Sequence, residues 1–266
     1  MVMGERNKTS DAIILNITRQ GENNWTATLL SPDSGIFYAT VYGGPKSKLR
    51  SLVQKFNIGK LYYYDDSQRN LRKISDFDVI YYHQTFSTDI YKIWAANLGA
   101  ELVIKTKAAG DYQNTYTLLC AFLNGIDACD EKGARLGTLR FLWRYLKLLG
   151  VQPDTSYCVS CSSPVEAGNI QEGNCATHYF PNMNGFLCGD CLSSYNQSKE
   201  NMNQALPVSR NALEYLRAIN TQTPGKVRAM TISAEDAYDI KRLVYILAEQ
   251  AAGCKLKTLE SGALIL

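Results

Sequence analysis

This chain has no uninterrupted run of about 18 apolar residues, so no membrane-spanning helix is expected. It begins with no apolar stretch followed by a cleavage site, which points away from a secretory signal and toward the cytoplasm. Only two histidines are present, His83 and His178, so imidazole-rich catalytic or metal centres have little to draw on. A phosphate-cradling glycine loop of the G-x-x-x-x-G-K type, a G-x-G-x-x-G turn and a nucleophile–base arrangement are all missing. Nothing in the chain asks for an enzyme. Internal repeats and low-complexity tracts are absent too. Lys and Arg vanish altogether between Lys147 and Lys199, where Asp154, Glu166, Glu172 and Asp190 stand.

Inside that stretch lie two cysteine pairs, Cys158-Val-Ser-Cys161 and Cys188-Gly-Asp-Cys191, with 26 residues between them. Each C-x2-C turn can aim two sulfurs at one point, and two such turns can surround one Zn²⁺ tetrahedrally. Structural disulfides are rare in the cytosol. A redox pair belongs at a helix start after a strand, whereas Cys158 lies among Pro, Ser and Gly. Four thiolates close the metal's coordination shell, so the expected role is structural: one zinc ion holding a small hairpin with little core of its own. Gly185 and Gly189 flank and enter the second pair, as tight turns require. Cys175 and His178, between the pairs, read as loop residues although either could replace a ligand. Cys120 and Cys254 read as small buried residues in helices. Four thiolates on Zn²⁺ give a net charge of minus two beside four carboxylates, the wrong sign for gripping phosphate.

Positive charge is concentrated elsewhere. The whole chain is +3, but residues 40–75 carry Lys46, Lys48, Arg50, Lys55, Lys60, Arg69, Arg72 and Lys73 against only Asp65 and Asp66. The loop Gly43-Gly-Pro-Lys46-Ser-Lys48-Leu-Arg50 alternates its charges and can lie along phosphates. Tyr62, Tyr63 and Tyr64 follow. One or two of them can face outward as base-stacking platforms, although half-buried strand tyrosines are the commoner case. The predicted DNA contacts are Lys46, Lys48, Arg50, Lys55, Arg69, Arg72 and Lys73. A second basic stripe, Arg140, Arg144 and Lys147, falls on one helical face beside Phe141, Trp143 and Leu148. It offers a partner site for an acidic peptide with an apolar end, an extension of a nucleic-acid surface, or simply a solvated helix face.

The first 83 or so residues read as five short strands: Ala12–Ile17, Trp25–Leu30, Ile36–Tyr42, Phe56–Tyr64 and Arg72–Tyr82. Five strands in so short a span predict a small barrel or sandwich. After His83 the apolar spacing becomes helical, with Gly150 as a C-cap and Ser209 and Ser233-Ala-Glu-Asp236 as N-terminal caps. The expected class is α+β and multidomain: a β domain over residues 1–83, then an α-helical domain over 84–266 with a zinc segment, 157–192, inserted.

These features resemble the bacterial RecO family. The residues that carry the likeness are Lys8-Thr-Ser-Asp-Ala-Ile-Ile-Leu15 with Gly21-Glu-Asn-Asn24, and Pro45-Lys-Ser-Lys-Leu-Arg50. The paired cysteines with the short Phe180–Gly185 connection, and Lys255-Leu-Lys-Thr258, complete it. The resemblance runs in order over nearly the whole chain. It implies an N-terminal OB-fold, a helical domain with zinc, binding of single- and double-stranded DNA, and annealing of complementary strands. It further implies work with RecR and with the C-terminal tail of single-strand-binding protein, to load RecA. Gly43 and Gly44 depart from the pattern, standing where the family often has arginines, so this loop is less basic than usual.

Overall fold

The structure is a computed structural model and describes residues 6–21, 24–43, 47–66, 68–69, 71–165, 175–195 and 205–262. Several sequence predictions fall outside these: Lys46 with Gly44 and Pro45 of its loop, the carboxylates Glu166 and Glu172, and the side chain of Cys175. Two compact units form, one from residues 1–141 with 254–266, the other from residues 142–253.

In the first unit five strands close on themselves: β1 (Asn7–Gln20), β2 (Asn24–Ser31), β3 (Gly35–Tyr42), β4 (Ile58–Asp66) and β5 (Leu71–Tyr81). Their order, β1-β2-β3-β5-β4 and back to β1, is that of a five-stranded OB-type barrel. Alternation is clean in β3, while β1 and β2 carry continuous buried runs, residues 12–15 and 27–31. Ile14, Leu29, Phe37, Val41, Leu61, Tyr63, Ile74 and Phe77 point inward and form one core. A bulge between Ile14 and Asn16 lets the long β1 bend and pair with both β2 and β4. The closing contact is slight: β3 and β5 share a single parallel register pair, Thr40 with Lys73. A short helix, α1 (Lys48–Leu52), follows β3, and its neighbours Leu49, Leu52 and Val53 pack on the barrel core.

Helices α2 (Ile90–Lys105), α3 (Tyr112–Asp127) and the start of α4 (Glu131–Leu148) complete this unit. Asp89 and Asp111 cap α2 and α3 by accepting the N–H groups of Lys92 and Asn114. Between them Lys107, Ala108, Ala109 and Gly110 all take positive φ, a left-handed turn that joins the two helices in few residues. The chain returns to this unit at its far end in α9 (Lys257–Ser261). The Glu101 carboxylate accepts the N–H groups of Lys257 at 2.9 Å and Thr258 at 2.8 Å, while Trp94 Nε1 donates to Thr258 O at 2.8 Å. The compact units therefore divide the chain differently from its composition. The change from alternating to helical spacing comes at His83, but helices on either side of that change pack with the barrel.

The second unit is not purely helical. Strands β6 (Cys175–Phe180), β7 (Gly185–Leu187) and β8 (Leu206–Ser209) form a sheet in the order β7-β6-β8. This corrects one expectation. Cys175 and His178 lie on a strand rather than a loop, because β6 pairs on both sides. Pro207 sits in β8, an outer strand of this small sheet where its missing N–H is tolerated, and the helix begins at Arg210, just past the predicted cap Ser209. The unit continues with α5 (Gly189–Tyr195), α6 (Arg210–Thr221), α7 (Pro224–Ala229) and α8 (Ala234–Ala252). Ser209 caps α6, and Ser233 caps α8 while its hydroxyl and that of Ser209 both donate to the Asp236 carboxylate, at 2.6 and 2.5 Å. Gly150 takes φ +70° just past α4, the left-handed conformation that ends a helix.

Candidate metal centre and nucleic-acid interface

The two cysteine pairs meet. The sulfurs of Cys158, Cys161, Cys188 and Cys191 all lie within 4.8 Å of one another, and Cys161 Sγ is 3.6 Å from Cys188 Sγ. Zinc–sulfur bonds of about 2.3 Å in a tetrahedron put sulfurs roughly 3.8 Å apart, so this donor set fits one Zn²⁺. His178 is not among the clustered donors. Burial lowers its pKa, which keeps it neutral at pH 7. The cluster is the four-thiol shell that the spacing predicts.

The backbone shapes it before any metal does. Cys158 N donates to Ser163 O at 2.8 Å and Ser162 N to Cys158 O at 2.9 Å, closing the first turn. Val159 N donates to Phe186 O at 2.9 Å and joins that turn to β7. A Cβ on Gly185 would sit 2.5 Å from Val159 Cβ, so the two turns approach only because residue 185 has no side chain. Gly185 and Gly189 both have ordinary negative φ, so the reason for Gly185 is space and not a left-handed turn. From α6, Arg217 Nε donates to Thr155 O at 3.0 Å and its Nη2 to Val165 O at 3.1 Å. One guanidinium thus ties together the chain entering and leaving the first pair. Hydrogen bonds from Ser163 bring the Cys161 thiol down to about 6, favouring the thiolate that binds metal. Cys191, hydrogen-bonded to Cys161 and Cys188, is pushed up to about 12. Of the other cysteines, Cys254 is exposed beyond the cap of α8, not buried in a helix. Cys120, half-buried in α3, is shifted up to about 11 by burial and is inert at neutral pH.

The basic residues distribute less evenly than their count. From Lys48 the chain is helical, so Lys48 and Arg50 do not alternate along an extended loop. Two apart in a helix, they face different ways. Lys48 is exposed, and Arg50 lies over the Trp25 ring at 4.6 Å. Lys73 Nζ lies 4.8 Å above the ring of Tyr42, itself 42% exposed. Arg69 is exposed in the β4–β5 connection. Arg72 is partly neutralised by Asp65, at 3.4 Å, which also accepts from Lys8 at 2.7 Å. Lys60 is in register with Asp11 on one side and Asp78 on the other. Lys55 donates to Asn97 Oδ1 at 2.6 Å, and burial lowers its pKa. Of the predicted DNA contacts that are described, Lys48, Arg50, Arg69 and Lys73 have neither a carboxylate partner nor the Asn97 bond that holds Lys55. Tyr63 points into the barrel, as strand tyrosines commonly do, while Tyr62 and Tyr64 are half-buried on the outer side.

The stripe on α4 loses its apolar wall. Phe141 stacks on Phe122 at 4.2 Å, and Trp143 is fully buried with Nε1 donating to Leu216 O at 3.1 Å. Arg140 and Arg144 are half-buried and Lys147 is exposed. Sequence reasoning missed Trp25 and Arg217. The strand parity that pairs Trp25 with inward-facing Val41 carries a signal for the first. No sequence signal marks the second.

Residues 3–83 match the family model described as Recombination protein O N terminal, and residues 87–260 the one described as Recombination protein O C terminal. The protein named DNA repair protein RecO in Synechococcus elongatus is 27% identical over 185 residues, 68% of this chain and 68% of its own length. The protein of that name in Bacillus velezensis is 23% identical over 251 residues, spanning 93% of this chain and 91% of its own. In Dehalococcoides mccartyi the figures are 25% over 234 residues, with 84% and 82% covered. No described helix is long and apolar enough to cross a membrane.

Proposed function

Because the chain belongs to the RecO family, whose place is in DNA repair and recombination, we propose that it is a recombination mediator working by binding rather than by turnover. In this reading the barrel holds single- and double-stranded DNA and brings complementary strands together for annealing. With RecR, and with the C-terminal tail of single-strand-binding protein as a contact, it loads RecA on coated single strands. One Zn²⁺ in the four-cysteine shell cross-links the second unit and takes no part in DNA contact.

The observation that carries this reading is the set of open cations on the barrel, Lys48, Arg50, Arg69 and Lys73, two of them lying over aromatic rings. A cation over an aromatic face is a surface that can meet phosphate and base together. The acid-peptide alternative is disfavoured because Phe141 and Trp143, which were to supply its apolar wall, are buried.

The test is a titration of a single-stranded oligonucleotide against salt. Phosphate contacts release counterions, so log K should fall with log salt by about 0.7 per contact. Lys48→Gln with Lys73→Gln should weaken binding roughly tenfold at moderate salt and flatten the slope by about one to two contacts. A wild-type slope near zero rejects DNA binding through this surface.

A further inference from the structure

At one mouth of the barrel, beneath α1, lies a cavity of about 300 Å³. Its apolar floor is Ile17, Trp25, Val41 and Val53, and Arg50 and Lys55 stand at its rim. Trp25 pairs in register with Val41, so both side chains lie on the inner side of the β2–β3 ladder. The Arg50 guanidinium covers the indole at 4.6 Å. Trp25 Nε1 is buried and has no hydrogen-bond partner among the described residues.

That last fact is the unusual one. A buried N–H left without an acceptor costs on the order of 1–3 kcal/mol. The other two tryptophans follow the rule: Trp94 and Trp143 each donate to a backbone carbonyl, at 2.8 and 3.1 Å. An unpaired donor beside a cavity of ligand size, with a guanidinium lying over its ring, asks for a flat ligand that carries acceptors.

We propose that this cavity takes one unpaired base of a bound DNA strand. The base would stack on the guanidinium plane of Arg50, as unpaired bases do on arginine and aromatic faces. A carbonyl oxygen or ring nitrogen of the base would accept from Trp25 Nε1. The neighbouring phosphates would run past Lys48 and Lys73, continuous with the surface already described. A duplex keeps its bases stacked and paired and cannot fill the cavity, so the barrel prefers single strands by this one contact. The inference rests on the DNA-binding reading, and its test separates the two.

The full-length protein is titrated with a single-stranded oligonucleotide and with an abasic strand of the same length and charge. Tryptophan fluorescence is recorded at fixed salt. The base-bearing strand should bind roughly five- to tenfold more tightly, the scale of one stacked base, and should change the emission. Trp25→Phe keeps the ring but removes the N–H. It should leave abasic binding unaltered and abolish the emission change on titration. It should also cut the base-dependent gain by at least half. Arg50→Lys, which keeps the charge but loses the plane, should also shrink that gain. If both variants retain the full gain, the base pocket is rejected while DNA binding stands. If neither strand binds wild type, both readings fall. If an acidic peptide ending in apolar residues displaces the strand and quenches Trp25 more strongly, the cavity belongs to a protein partner and the proposal is overturned.

Discussion

Position 185 can carry only a hydrogen atom, because Val159 occupies the space where a side chain would begin. Gly185→Ala should therefore force the two cysteine turns apart and cost roughly 1–3 kcal/mol, the scale of core overpacking. The measurement is retained zinc together with the melting temperature, and the control is Val159→Gly in the same chain. Exposed by 44%, Val159 has little to lose, and its removal clears all three crowded atoms. Restored zinc in the double variant supports the steric account, and no rescue refutes it. A second residue, Asp65, links charge to acid stability. Its hydrogen bond from Lys8, helped by Arg72, holds its carboxyl below the usual range against opposing burial. A depressed folded pKa gives stability present above the unfolded value, near 4, and lost as pH falls through the folded one. Asp65→Asn should cost on the order of 1 kcal/mol at pH 7 and nothing once the wild-type carboxyl is protonated. The gap between the melting temperatures of the two proteins should be steady above about pH 5 and shrink progressively as pH falls below about 4.

Among the elements, the barrel was the most legible, because short apolar or alternating runs bounded by turn residues are a short-range signal. All five strands lie where Ala12–Ile17, Trp25–Leu30 and their successors placed them, longer by a few residues at most ends. The caps at Ser209 and Ser233 were legible for the same reason, a side chain acting on its own backbone. The sheet of the second unit was not. Strands β7 and β8 have three and four residues, too few for a period to show, and β6 is defined by partners on both sides. The clustering of the four cysteines could be read from spacing alone, whereas the part played by Arg217 could not. Its role depends on carbonyls 52 and 62 residues away that only the fold brings near. Lys55 and Arg72 counted as free charge in the sequence and proved to be engaged by Asn97 and Asp65.

For the whole molecule, charge and metal are assigned to different parts of the chain. The open cations stand on a barrel that holds its shape through an apolar core, and the thiols stand in a stretch without Lys or Arg. Removing zinc with a strong chelator should lower the melting temperature of the second unit by many degrees, since structural zinc contributes directly to folding. The slope of DNA affinity against salt should stay as it was. A slope that collapses with the metal would place phosphate contacts on the cysteine hairpin and reject the division. The chain's return to its first unit through Glu101 and Trp94 explains how a distant C-terminal segment belongs to the part that begins at the N-terminus.

The barrel's thinnest seam has its own consequence. Every strand pair of the barrel but one is zipped over many residues, while β3 and β5 share one ladder pair, Thr40 with Lys73, and otherwise meet through side chains, Arg72 over Phe37 at 5.2 Å and Lys73 over Tyr42 at 4.8 Å. Breathing of the barrel should start there, because fewest backbone hydrogen bonds must break. Lys73 and Tyr42 flank that seam, so the cation–aromatic pair is mounted on a hinge in the wall rather than on its stiffest part.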